Sequence, residues 1–139
     1  MQTLRPITAA LVLAALAGCG GTPDAFLSVS GERIKDVIRP TVVGALPAAN
    51  AVNVSTRTLV EVTFSEPIDS AAVSGANFTL STGTPGSVRV TGSGLTFIPS
   101  TRLPAGTTIT ATVSGVRDRA GNAMAGPYSW TFTTATISP

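Results

Sequence analysis

From residue 60 onward, apolar and polar positions alternate in short runs. Val60, Val62 and Phe64 alternate with Glu61 and Thr63. Phe78 and Leu80 flank Thr79, Val88 and Val90 flank Arg89, and Leu95 and Phe97 flank Thr96. Ile109, Ala111 and Val113 alternate with Thr110 and Thr112, and Trp130 and Phe132 flank Thr131. A period of two marks a half-buried antiparallel strand, because successive side chains point to opposite faces of a sheet. Threonine, β-branched and polar, suits the outer positions. Each run therefore predicts a strand with its apolar members inward. No window sustains a helical period; the best helical candidate, residues 70–75, amounts to about one turn.

Turn-forming residues separate the runs. Gly92-Ser93-Gly94 stands between 88–91 and 95–98 and predicts a tight hairpin. Gly83-Thr84-Pro85-Gly86-Ser87 separates two further strands, while 99–106 and 118–127 read as longer loops. Several short strands with regular turns predict an all-β antiparallel sandwich of about seven strands. Pro67 disfavours helical geometry at Glu66 and interrupts pairing, so the strand ending near Phe64 is expected to turn away at a sheet edge. Asp118 and Asn122 suit a loop whose side-chain oxygens accept from backbone N–H groups, with Gly121 supplying a permissive φ.

The N-terminus has a different pattern. Met1 to Pro6 carries one cation, Arg5; residues 7–17 are apolar except for Thr8; then come Gly18, Cys19, Gly20 and Gly21. This is the layout of a secretory signal, too short to span a bilayer. Leu16-Ala17-Gly18-Cys19 resembles the lipobox of bacterial lipoprotein precursors. The resemblance implies removal of residues 1–18 and diacylglycerol on the Cys19 thiol, with a palmitate-type acyl group on its amine. Two or more chains give stable anchoring where one is marginal. Gly20 follows the cysteine where Asp would signal inner-membrane retention, so the resemblance favours the outer membrane of a Gram-negative host. Residues 19–39 read as a tether, part of which can pack on the domain through Phe26, Leu27, Val29 and Ile34; residues 40–134 form the domain and 135–139 a tail.

Charge and composition narrow the chemistry. Without Arg5 the chain has eight cations against seven anions. The cations are scattered, so no nucleic-acid surface is expected. One cysteine permits no internal disulfide. With no histidine, and with Cys19 committed to lipid, Ser–His and Cys–His nucleophiles and His- or Cys-based zinc sites are excluded. Glu66 and Asp69 are candidates for an acid–base pair near a strand end, and Glu66, Asp69, Asp118 and Asn122 for oxygen ligands to Ca²⁺. Asp69 suits turn capping equally well. No catalytic residue, resident metal or cofactor is expected. The threonine-rich faces read as solvated sheet surface, with Tyr128 an exposed aromatic near a strand start.

Three segments carry a family resemblance. Pro40-Thr41-Val42-Val43 continues to Pro47-Ala48-Ala49-Asn50-Ala51-Val52-Asn53-Val54. Val60-Glu61-Val62-Thr63-Phe64-Ser65-Glu66-Pro67-Ile68-Asp69 contains F-S-E-P-I-D. Val116-Arg117-Asp118-Arg119-Ala120-Gly121-Asn122 precedes Trp130-Thr131-Phe132-Thr133-Thr134. With Leu95-Thr96-Phe97-Ile98-Pro99 and Leu103-Pro104-Ala105-Gly106-Thr107 between them, they resemble the bacterial Ig-like domain of S-layer proteins. Ile109 stands where that family often has tyrosine. The resemblance implies a non-enzymatic envelope module, membrane-bound through lipid on Cys19, with an envelope protein or glycan as partner. Alternatives are a calcium-binding adhesion-type module or an accessory domain fragment of a larger surface enzyme.

Overall fold

A computed structural model describes residues 34–137. They form eight strands in two four-stranded sheets. The first sheet has the order β1 (Val42–Leu46), β3 (Val60–Phe64), β6 (Gly94–Pro99), β5 (Gly86–Thr91). The second has the order β2 (Ala51–Val54), β8 (Tyr128–Thr134), β7 (Thr108–Val113), β4 (Phe78–Leu80). The expected sandwich is present. The strand beyond the expected seven comes from a division of the N-terminal edge: β1 pairs antiparallel with β3, and β2 pairs parallel with β8 in the other sheet. The crossing between them passes through the cis Leu46–Pro47 peptide and through Asn50 at φ 63°. Asparagine is one of the few non-glycine residues that occupies this left-handed region readily.

The alternation seen in the sequence becomes the core. Val60, Val62, Phe64, Phe78, Leu80, Leu95, Phe97, Ile109, Ala111, Val113, Trp130 and Phe132 are all buried in one cluster. Val88 and Val90, on the edge strand β5, are only partly buried and pack against this cluster. Ile68, Leu103 and Val116 complete the core from outside the strands. Phe78 lies at its aromatic centre, 5.6 Å from Phe97 and 6.0 Å from Trp130 between ring centroids. Ile109 is fully buried and fills its place by apolar packing.

Two local expectations change. β3 does not end at a sheet edge, since β1 and β6 flank it on both sides. Beyond Phe64 the chain crosses between the sheets instead: the Ile68 N–H donates to the Gly92 carbonyl in the first sheet's hairpin, and Ile68 bridges to Asp118 in the loop that follows β7. The one-turn helix over 70–75 is two short 3₁₀ turns, Ser70–Ala72 and Gly75–Asn77.

The strand directions define two poles. At the first lie Val42, paired with Phe64, the 92–93 turn, and the 116–124 loop. At the opposite pole lie the 55–59 turn and the 99–107 loop, tied by the Leu103 N–H donating to the Thr56 carbonyl at 2.8 Å. The described chain enters at the first pole. It leaves at the second, where the Ala135 N–H donates to the Val54 carbonyl at 2.7 Å.

Candidate functional site

The entry pole gathers most of the candidate site residues. Ser65-Glu66-Pro67 leaves the end of β3, and the 116–124 loop leaves β7; the Ile68–Asp118 bridge joins them. Residues 34–38 run across both without regular secondary structure. Together they line an open cavity of about 500 Å³, with Ile34, Val37, Ile38 and Pro67 among its apolar lining and Glu66 and Asp118 among its polar lining. Asn122 Nδ2 donates to the Asp36 carbonyl at 3.0 Å, which ties residue 36 to the 116–124 loop.

Asp118 is 2 % exposed. Its Oδ1 accepts the Asn122 backbone N–H at 2.8 Å, and its Oδ2 accepts Asn122 Nδ2 at 2.7 Å. The loop closes this way because Gly121, at φ 91°, takes a backbone conformation that a side chain disfavours. Burial by itself pushes the Asp118 carboxyl pKa up. Donation from the Asn122 side chain, then from the backbone of Asn122, Ala120 and Gly121, outweighs burial and holds it below the ordinary carboxylate value.

Of the acids named from sequence, Glu66 and Asp118 come together, and Asp36 joins them: one carboxylate oxygen of each lies within 4.8 Å of the others. Asp69 is not in this group. Its Oδ1 accepts the Ala71 N–H at 2.9 Å and caps the first 3₁₀ turn. Sequence reading missed Asp36 because it lies in the stretch assigned to the tether, with nothing local to mark it as packed. Chemically the cluster offers three carboxylate oxygens, whereas Ca²⁺ takes six to eight ligands. Asn122 turns its NH₂, not its carbonyl, toward Asp118 and Asp36. Both Asp118 oxygens already accept hydrogen bonds, so the Asp118–Asn122 pair acts first as a loop lock. Tyr128 stands at the start of β8, 36 % exposed and 5.6 Å from Trp130 between centroids. Cys19 lies outside the described residues.

Two four-stranded sheets, a core of alternating strand residues and a carboxylate-locked loop between the sheets define an all-β module of immunoglobulin type. The chain belongs to the bacterial Ig-like domain family, whose model matches residues 36–134. Among solved structures, domains 1–6 of the surface layer protein SbsC match with 27 % identity and a TM-score of 0.55, over 74 % of this chain and 14 % of that one. An L,D-transpeptidase from Mycobacterium smegmatis matches with 24 % identity and a TM-score of 0.54, over 70 % of this chain and 41 % of that one. CopC from Methylosinus trichosporium OB3b matches with 18 % identity and a TM-score of 0.59, over 73 % of this chain and 98 % of that one. The chain thus spans less than half of the transpeptidase and a small part of the S-layer protein. Among functionally curated proteins none matches.

Proposed function

We propose that this chain is a small, non-enzymatic lipoprotein of the bacterial cell envelope, whose Ig-like domain serves as a structural or interaction module. The observation that carries the reading is polar geometry. The described chain enters at one pole and leaves at the other, so an anchor preceding residue 34 leaves the sheet faces and the far pole available to an envelope protein or glycan. The Leu16-Ala17-Gly18-Cys19 motif supplies such an anchor, and two or more lipid chains on Cys19 hold it stably. No helix among the described residues is long and apolar enough to cross a membrane. A non-enzymatic role is supported by the absence of histidine and by Asp69 serving as a cap rather than as a partner to Glu66. Gly20 after the cysteine favours the outer membrane in a Gram-negative host.

Mass spectrometry of the membrane fraction, with Cys19→Ala as control, tests the anchor. The expected result is an N-terminal peptide that begins at a lipidated Cys19 and is lost in the variant. Soluble, unlipidated protein with another N-terminus overturns it.

A further inference from the structure

Charge is sorted along the long axis of the domain. Asp36, Glu66, Asp69 and Asp118 all lie at the entry pole, beside Lys35, Arg39, Arg117 and Arg119. Glu61 and Arg89 lie mid-sheet, each in register with Thr96. The far pole carries Arg57 and Arg102, and no acid among the described residues lies there. These two arginines are brought together by the fold. The hydrogen bond from the Leu103 N–H to the Thr56 carbonyl clamps the two turns, and Leu103 is buried beneath them. Arg57 and Arg102, the sequence neighbours of the clamped pair, are exposed and line one cavity of about 230 Å³ with the hydroxyl residues Thr56, Thr58, Ser100 and Thr101. Among the described residues neither guanidinium has a hydrogen-bond or ion-pair partner.

We infer that this far-pole cleft binds a phosphate group. Two exposed arginines lining one cleft can converge on a shared anion, which offsets their mutual repulsion and uses planar donors suited to oxyanions. A phosphate matches two cations and the surrounding hydroxyls better than a single carboxylate does, because it offers more oxygens and can carry more charge. The inference stands on the cleft alone and does not depend on lipid at Cys19.

The test is a ¹H–¹⁵N NMR titration of the full chain with inorganic phosphate, at ionic strength held constant with NaCl. Shifts are expected in the amides of residues 56–59 and 100–102, with affinity falling about tenfold or more in the Arg57→Gln, Arg102→Gln double variant. Both side chains are exposed, so the variant should keep the remaining spectrum and its Tm, which separates lost binding from lost folding. Short-chain polyphosphate and phosphatidylglycerol vesicles, with phosphatidylcholine vesicles as control, distinguish a soluble phosphate polymer from a lipid headgroup. Far-pole shifts that are absent with phosphate, unchanged in the double variant, or equally large with acetate overturn the inference.

Discussion

Asn122 grips Asp118 twice, through its backbone N–H on Oδ1 at 2.8 Å and through its side-chain Nδ2 on Oδ2 at 2.7 Å. The pair sits where the two sheets meet, since Asp118 also bridges to Ile68 on the segment leaving β3. The carboxylate is therefore a structural part in its ionised form. Asp118→Asn puts an NH₂ where one oxygen stood, facing the NH₂ of Asn122. Losing a charge-assisted hydrogen bond and leaving a buried donor unpaired costs about 1–3 kcal/mol. Differential scanning calorimetry at pH 7 checks this as a lowered Tm.

The same pair predicts a pH dependence. The folded-state pKa of Asp118 is depressed, so its contribution is fully present above the unfolded-state value, about 3.9. That contribution is lost as pH falls through the lower, folded-state value. The Tm difference between the wild-type chain and Asp118→Asn should thus hold steady at neutral pH and shrink only below about pH 4. A difference that is constant across this range would show that the carboxylate's charge does no stabilising here.

Gly86 is the second sensitive point. A Cβ built there would lie 2.5 Å from Phe97 Cζ and 2.6 Å from the Ile98 carbonyl oxygen. The backbone oxygen cannot step aside as a side chain can. Gly86→Ala should cost about 1–3 kcal/mol by overpacking, measured by urea denaturation. Adding Phe97→Leu removes the ring contact and leaves the carbonyl contact. The double-mutant cycle should therefore show only partial recovery.

What the sequence made legible follows from where each residue's signal comes from. Period-two runs such as Ile109 to Val113 announce their inward face locally, and they became core. Val88 and Val90 gave the same local signal but stayed partly buried, because how fully a strand face is covered depends on segments elsewhere in the chain. Ile68, Leu103 and Val116 are core without any alternation to mark them. In the acidic cluster, Glu66 and Asp118 stood out by motif. Asp36 joins them through the fold, where its carbonyl accepts from Asn122, 86 residues away in sequence. Strands β1 and β2 carry no such alternating run: both are short, and their partners β3 and β8 lie farther along the chain.

Trp130 also ties distant parts of the chain. Its Nε1–H donates to the Pro47 carbonyl at 2.9 Å, at the crossing between β1 and β2, while its ring packs on Phe78. It is 4 % exposed, so the lost bond would not be replaced freely by water. Trp130→Phe keeps an aromatic ring in the core but leaves the Pro47 carbonyl without this donor and opens a small cavity. The two effects together should cost about 2–4 kcal/mol, read as a lower urea midpoint with little change in m. Native-state hydrogen exchange should then locate the damage. Protection of the Ala51 and Asn50 amides, which donate to Ala48 and Thr131 beside the crossing, should fall more than that of the β5–β6 hairpin amides on the far edge of the first sheet. An equal loss at both places would mean that Trp130 acts only through global stability and not as a tether for the crossing.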